Sequence, residues 1–453
     1  MRLIGILYLL LGAIVTQAQQ SLSLDDAVRI GLEKNYDIRI QQKNVAIAQN
    51  NNSWGETGLI PSVNATVGSN NSLTNQESDN LFFGGRLFDG FSLDDQRSYS
   101  LQPNLSATWN FETIKPFISK SRLEQLQAES EGNASIVISN TVQAISLAYY
   151  LAVLEKERLE EFRKQLELSQ DKYALLKEKS EFGTTSTTDL LLEENNLLTD
   201  SVNFINQGLS VNRALRNLNT LLLESNLNQD YNLTTVLLYE PLDQTFQDLQ
   251  DKMFAENVDL RKIYISQEIL KSQVQLARAD QLPDLNLNAG YRWNRNTSDL
   301  TNAVYNGPDP NFSNPTKPLV SKTGTYYANF TLTFNLYNGG RIKRAIRNAV
   351  AREDIGNIQI DQLKQSLNKD LADAYDRYMA REQIYLINQR RKESAQINLT
   401  VSQEKYRNGT INSFDFRTVQ NNYLSAAIVE LQALYNLVDS RIELLRLTGS
   451  LIN

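Results

Sequence analysis

The stretch NFTLTFNLYNGG, from Asn329 to Gly340, decides the fold of this chain. Apolar and polar residues alternate along it as far as Leu336. A period of two is typical of a strand that has one apolar and one polar face. Most of the remaining chain reads as helical and polar, so the partner of this apolar face has to be identified.

Three other segments alternate in the same way. The sequence therefore predicts four strands, at 62–70, 104–112, 284–294 and 326–337. The segments between paired strands, 70–101 and 295–325, are rich in Asn, Asp, Gly, Ser and Pro. That composition predicts surface loops.

The composition narrows the possible chemistry. The 453 residues include 45 Lys and Arg against 52 Asp and Glu, a net charge of −7, with no Cys and no His. Thiol chemistry, disulfides, His acid–base catalysis and the usual zinc sites are excluded. An acidic chain is also a poor general binder of nucleic acid. We expect no enzyme, no cofactor and no metal site.

The N-terminus predicts export. One Arg precedes an apolar run from Leu3 to Val15, and small residues follow. This pattern is typical of a secretory signal peptide, predicted for residues 1–18. No later segment approaches the ~20 continuous apolar residues of a membrane-spanning helix.

The chain contains an internal duplication. Asn35 and Gly183, for example, recur as Asn257 and Gly409, and the matching residues keep the same order throughout. A shared order over this length indicates a first repeat at 19–240 and a second at 241–453.

Each repeat also predicts long helices. Apolar residues near the C-terminus recur at steps of four and three, a coiled-coil spacing. The first repeat has predicted helices at 22–58, 117–181 and 187–222, followed by a belt segment at 223–245. The second has 246–280, 341–406 and 413–448. At ~1.5 Å per residue, each long helix measures roughly 100 Å.

Four strands cannot form a closed barrel, and open sheet edges are not tolerated in lipid. The chain must therefore combine its strands with those of other copies. Two copies give eight strands and an interior filled by side chains, whereas three give 12 and room for an aqueous lumen. The polar strand faces favour three copies. The apolar faces then contact lipid, with Trp109, Trp293 and Phe334 as aromatic residues at the membrane interfaces.

Three motifs in order carry a resemblance to a known family. They are NLYNGGRI after the last strand, and EFGTTSTTDLL and KYRNGTINSFDF at the two helix–helix turns. The chain resembles the TolC-like outer-membrane efflux factors nearly end to end. The resemblance implies a homotrimer in the cell outer membrane, with a 12-strand β-barrel and a 12-helix α-barrel that extends into the periplasm and can close.

The resemblance also implies a function. Such proteins dock on a periplasmic adaptor and an inner-membrane RND or ABC-type transporter, in efflux or type I secretion. The resemblance places a periplasmic gate at Thr188, Asp189, Tyr406 and Asp415, and adaptor docking at the turns with Gly183, Thr184, Gly409 and Thr410.

Two positions depart from the family pattern. A basic residue often found after the second turn is replaced by Ile411, and the nearest bases are Arg407 and Arg417. In the first repeat, the glycine pair that follows the strand is replaced by Ile114 and Lys115.

Other interpretations stay open at this point. Asp189 and Asp415 can simply stabilise the first turn of a helix. In a trimer, each would also form a ring of three carboxylates, which selects cations. A general porin or a structural surface protein without a pump partner is the alternative function. An outer-membrane hydrolase and a coiled-coil adhesin are further rivals.

Overall fold

The computed structural model describes residues 20–451 except 84, 113, 308–310 and 312. The predicted signal peptide, 1–18, lies outside the described residues. The described helices are α1 (Leu24–Lys34), α2 (Tyr36–Asn51), α3 (Lys115–Glu181), α4 (Thr187–Leu221), α5 (Phe246–Glu256), α6 (Val258–Ala279), α7 (Arg341–Arg407) and α8 (Ser413–Leu447). The described strands are β1 (Gln20–Leu22), β2 (Ser62–Phe83), β3 (Arg86–Glu112), β4 (Tyr231–Leu233), β5 (Asp284–Asp299), β6 (Val304–Asn306) and β7 (Leu319–Thr333).

The chain divides into two compact units. The helical unit comprises the described residues of 1–47, 128–266 and 357–453. The sheet unit comprises 48–127 and 267–356. Helices α2, α3, α6 and α7 contribute residues to both.

In the helical unit, two buried tyrosines hold the belt segment 223–245. The Tyr149 hydroxyl donates to the Leu22 carbonyl at 2.8 Å and accepts from the Thr235 N–H at 3.0 Å. The Tyr378 hydroxyl donates to the Glu240 carbonyl at 3.1 Å. Within the belt, only β4 is regular, and it pairs in parallel with β1. The belt is thus fastened to α3 and α7 mainly through its backbone.

The short helices are broken where the sequence predicted continuous ones. The predicted helix 22–58 is α1 and α2, and the predicted helix 246–280 is α5 and α6. Both breaks fall at duplicated residues, Asn35 and Asn257, whose ψ angles are 129° and 126°. The Asn35 side chain accepts the Asp37 and Ile38 N–H groups of the following helix, and the Asn257 side chain accepts the Leu260 N–H. Each Asn therefore ends one helix and caps the next.

The sheet unit contains an antiparallel sheet in the order β2-β3-β5-β7, with β6 added on β3. The first hairpin is longer than predicted, because β2 and β3 pair from Ser62↔Thr108 to Phe83↔Arg86, with one bulge between Thr74 and Gln76. The predicted loop 70–101 is therefore wrong. The predicted loop 295–325 contains β6, and the predicted strand 326–337 is β7, which ends at Thr333.

The two exits from sheet to long helix differ, as the sequence suggested. In the second repeat, Gly339 and Gly340 both have positive φ angles, 67° and 73°, which favour glycine. In the first repeat, α3 begins directly at Lys115, whose ammonium lies 3.2 Å from Asp280 and 3.3 Å from Asp284. These ion pairs link the start of α3 to the segment that leads into β5.

One helix, α3, is long and apolar enough to cross a membrane by length and composition alone. Half of its most apolar window is buried inside the chain. Ile145, Tyr149 and Ala152 of α3 are completely buried, which accounts for much of that apolar character.

We predict that Asn257→Ala lowers the free energy of unfolding by about 2 kcal/mol and Asn35→Ala by about 1 kcal/mol. Asn257 is buried and also donates to the Leu447 carbonyl at 2.9 Å, a bond its half-buried counterpart lacks in the described structure. Denaturant unfolding of both variants, followed by circular dichroism, measures the difference. Equal losses would contradict a special role for the buried break.

Candidate functional site

One face of the sheet is polar throughout its four-stranded part. The Asn288 amide donates to the Thr108 hydroxyl at 2.8 Å, and the Tyr327 hydroxyl donates to Asn104 at 3.1 Å. The Arg292 guanidinium lies 5.6 Å from the centre of the Tyr327 ring. The register places these residues on one face with Asn64, Thr66, Ser106, Asn110, Asn286, Asn329 and Thr331. This face is built for contact with water.

The opposite face is apolar and lies open. Its members, aligned by the register, are Val63, Ala65, Val67, Leu105, Ala107, Trp109, Phe111, Leu285, Leu287, Ala289, Tyr291, Trp293, Tyr326, Ala328, Phe330 and Leu332. Val63, Phe330 and Leu332 are each about two-thirds or more exposed. A continuous apolar surface of this kind marks a contact with lipid or another chain.

The three predicted interface aromatics lie at different heights on this sheet. Phe334 is exposed and directly follows the end of β7. Trp109 is half-buried, and its indole N–H donates to the Leu59 carbonyl at 2.8 Å. Trp293 pairs with Gly324. From the end of β7 to Trp293 is roughly 30 Å along the strand, or roughly 20–25 Å of height at the usual tilt, close to the apolar band of membrane barrels.

The sheet has two unpaired edges in the described chain, along β2 and β7. Each edge presents a row of backbone N–H and C=O groups. Such groups cannot stay unpaired in lipid. The sheet therefore needs further strands on both sides if its apolar face contacts lipid.

The two helix–helix turns have the same geometry. Gly183 and Gly409 both have φ angles of 71°. In each turn the following Thr donates its N–H to a carbonyl five residues back, at 2.9 Å, from Thr184 to Lys179 and from Thr410 to Lys405. The glycines serve the backbone conformation, since a Cβ at either would meet no atom within 4 Å.

Different residue types cap the helices that follow. Ser186 caps α4 by accepting the Asp189 N–H at 3.1 Å. Asn412 caps α8 by accepting the Asp415 N–H at 2.8 Å. Both Asp side chains are exposed in the first turn of a helix, and Thr188 is exposed beside Asp189. Within the described chain, neither Asp takes part in a salt bridge.

Tyr406, the fourth predicted gate residue, lies in an aromatic contact. Its ring stacks on Phe416, with centroids 4.9 Å apart and planes at 11°. Burial raises the pKa of Tyr406, and its hydrogen bond with Ser413 acts in the opposite direction. Tyr406 thus packs α7 against α8 just inside the turn, while the two Asp residues stay at the surface.

A buried ion pair, which the sequence analysis missed, lies beneath this aromatic pair. The Lys172 ammonium of α3 is 2.9 Å from the Glu193 carboxylate of α4, and both side chains are at most 2% exposed. The ammonium also lies 5.3 Å from the Tyr406 ring centre and 3.2 Å from the Ser413 carbonyl. Burial lowers the pKa of Lys172, although Glu193 opposes this shift.

A second charged layer connects the same helices. Arg417 of α8 holds Asp200 of α4 through two bonds of 2.6 and 2.8 Å. The same guanidinium donates to Ser169 of α3 at 3.1 Å. The hairpin α3–α4 is therefore joined to the hairpin α7–α8 in two layers, by hydrogen bonds of Lys172 and Glu193 with Ser413 and by the ion pair of Asp200 with Arg417.

These layers clarify the departure at Ile411. Of the two nearest bases, Arg417 is engaged with Asp200, and Arg407 pairs with Glu404 of its own helix at 3.3 Å. The sequence did contain a signal for these layers, because Glu193 and Asp200 are seven residues apart and therefore lie on one face of α4.

Among the described residues, no group of three or more Asp or Glu is placed to hold a metal ion.

Comparison with known proteins gives a family match for part of the chain. Residues 249–450 match the sequence model of the outer membrane efflux protein family. The resemblance to these efflux proteins is confirmed. The match lies within the second repeat, and no curated protein sequence matches the chain significantly.

Solved structures confirm the fold along nearly the whole chain. The outer membrane channel CmeC of Campylobacter jejuni superposes with a TM-score of 0.71 at 15% identity, over 94% of this chain and 85% of that one. CusC, whose structures were described for transmembrane channel formation, superposes with a TM-score of 0.69 at 16% identity, over 94% of this chain and 92% of that one. The open state of the MtrE outer membrane channel of Neisseria gonorrhoeae superposes with a TM-score of 0.65 at 14% identity, over 94% of this chain and 89% of that one. The fold is that of outer-membrane channels.

We predict that Lys172→Met alone lowers the free energy of unfolding by about 3–5 kcal/mol, because it leaves a buried Glu193 carboxylate without its counter-charge. The double variant Lys172→Met, Glu193→Met should lose at most about 1–2 kcal/mol, since well-packed apolar side chains often replace a buried pair at little cost. Denaturant unfolding of the single and double variants measures the interaction free energy between Lys172 and Glu193. Additive losses would refute the pairing.

Proposed function

We propose that this protein is the outer-membrane channel of a tripartite efflux or type I secretion system. Three copies complete a 12-strand barrel, and their long helices form a 12-helix tunnel in the periplasm. Substrates delivered by an inner-membrane RND or ABC-type transporter pass through it, with a periplasmic adaptor holding the parts together. The channel itself performs no chemistry. The family match supports the outer-membrane location.

The observation that carries this proposal is the incomplete sheet. Its four strands have one apolar face, one polar face and two unpaired edges in the described chain. Pairing of β2 with β7 of another copy satisfies both edges at once and closes the wall. Three copies leave a water-filled lumen, whereas two would fill it with side chains. The hydrogen-bonded Asn and Thr residues of the polar face, and Arg292 beside them, suit the wet interior.

The alternative is a general porin or a structural surface protein with no pump partner. Both alternatives share the barrel but gain nothing from two helices of 67 residues. Specific capture of a periplasmic adaptor by the purified protein favours the channel of a pump. A pore that binds no adaptor from the same cell envelope favours the porin.

The first test is the size and conductance of the protein. We expect the detergent-extracted protein to have the mass of three chains by light scattering, and to form single-channel conductances in planar bilayers. A monodisperse single chain that stays in solution without detergent would refute the proposal, because the apolar face would then have no membrane to contact.

The helix-turn residues extend the proposal to a gate. In a trimer, Asp189 and Asp415 each form a ring of three exposed carboxylates, and Thr188 and Tyr406 lie beside them. Carboxylate rings attract cations and can be blocked by divalent ones. The neighbouring turns, with Gly183, Thr184, Gly409 and Thr410, are the proposed docking surface for the adaptor.

We predict that Asp415→Ala raises the divalent-cation concentration for half-maximal block about tenfold, since it removes one carboxylate from each subunit of the ring. Planar-bilayer recordings with increasing divalent cation measure this. Asp354→Ala is the matched control, because it removes an exposed carboxylate near the other end of α7. An equal effect of both variants would assign the block to overall charge and not to the gate.

A further inference from the structure

The apolar face of the sheet ends at a pair of basic residues. Arg295 of β5 lies directly opposite Lys322 of β7, and the register places both on the same face as Trp293. Both side chains are exposed, and within the described chain neither takes part in a salt bridge. Like charges directly opposite one another repel and destabilise a sheet. An anion bound between the two side chains would remove this repulsion.

The basic pair lies at the height where the polar surface of a membrane begins. The apolar face starts with Leu332, at the strand ends that lead into helices, and Lys322 lies ten residues farther along β7. That step is roughly 34 Å along the strand, or roughly 25 Å of height at the usual tilt, which matches the apolar band of membrane barrels. Tyr291 and Tyr326, with ring centres 4.6 Å apart, lie just below the pair, as aromatic residues do at a membrane interface.

The nearest acid on this face of the described strands is already paired. It is Asp299, which lies opposite Arg97 and accepts the Thr301 hydroxyl at 2.7 Å. Asp299 is four residues from Arg295, roughly 13 Å along the strand. A net positive charge therefore remains at the level of Arg295 and Lys322, directly above the apolar band.

We propose that Arg295 and Lys322 bind the phosphate groups of an anionic lipid in the outer leaflet, whose acyl chains cover the apolar face below. The inference rests on the proposed membrane barrel, which places this end of the strands at the outer surface. A guanidinium donates two parallel hydrogen bonds to a phosphate, and the Lys ammonium adds a compact positive charge. A phosphate between the strands thus relieves the repulsion of the pair.

Arg292 provides a comparison on the same strand. It lies on the polar face, where its guanidinium is 5.6 Å from the centre of the Tyr327 ring. Because it is three residues from Arg295, the two side chains lie on opposite faces of the sheet. In the proposed barrel, Arg292 faces the aqueous lumen, and only Arg295 is accessible to a membrane lipid.

Native mass spectrometry of the detergent-extracted protein tests the proposal. The probe is lipid A, a diglucosamine that carries phosphate groups and acyl chains, and phosphatidylcholine is the zwitterionic comparison. The variants are Arg295→Gln, Lys322→Gln and the double variant, each with a polar side chain at an exposed position. Arg292→Gln is the matched control, because it removes the same charge from the same strand on the other face. A parallel titration replaces lipid A with inorganic phosphate at the same phosphate concentration.

We expect Arg295→Gln to raise the dissociation constant for lipid A about fivefold and the double variant to raise it about 20-fold, since each basic residue at an anionic lipid surface contributes a similar increment. Arg292→Gln should leave this constant unchanged. Phosphatidylcholine should bind the unsubstituted protein and the double variant equally, and inorganic phosphate should not displace lipid A.

Three results would overturn the lipid site while leaving the channel in place, provided that light scattering gives the mass of three chains. They are an unchanged affinity for lipid A in the double variant, equal losses in Arg292→Gln and Arg295→Gln, and displacement of lipid A by inorganic phosphate. The second assigns the affinity to overall charge, and the third assigns the site to free phosphate. A single-chain mass for the unsubstituted protein overturns the lipid site and the proposed channel together.

Discussion

The backbone of the sheet imposes the main constraint on this protein. Its apolar face is matched to lipid, yet β2 and β7 each present an unpaired edge in the described chain. Lipid offers no hydrogen bonds to such edges. In the proposed trimer, pairing of β7 of one copy with β2 of the next would satisfy both edges and leave both faces unchanged. The proposed oligomer thus follows from backbone hydrogen bonding more than from packing.

Duplication explains how one chain supplies its share of the wall. The two repeats have the same order of broken helix, hairpin, long helix and short helix. The residues that begin, break and end the helices recur in both repeats. Ser23 and Thr245 cap the first helix of each repeat, Asn35 and Asn257 break it, and Gly183 and Gly409 end the long helix. Differences arise where the repeats have different surroundings, as at the exits beginning with Lys115 and Gly339.

The sequence predicted the parts of the fold that carry a periodic apolar signal. The membrane part of each strand alternates because its two faces meet lipid and water, and the turn glycines announce positive φ angles. The outer part of the first hairpin, residues 71–83 and 86–101, escaped prediction because it is rich in Asn, Ser and Asp, residue types that are typical of loops. The ion pair of Lys172 and Glu193 also escaped, since a charged residue on a helix is usually solvated and only the packing of two hairpins buries it.

The charged residues between the two hairpins affect the free-energy cost of separating them, which matters for the proposed gate. An apolar interface loses its burial energy when it separates, at roughly 25 cal/mol per Å². A buried ion pair behaves differently, because its two charges regain hydration in water and the desolvation cost disappears. The ion pair of Arg417 with Asp200 joins the two hairpins, and the pair of Lys172 with Glu193, which lies within one hairpin, is hydrogen-bonded to Ser413 of the other. An interface joined in this way separates at lower cost than an apolar one of equal area, which would suit the proposed gate at the helix turns.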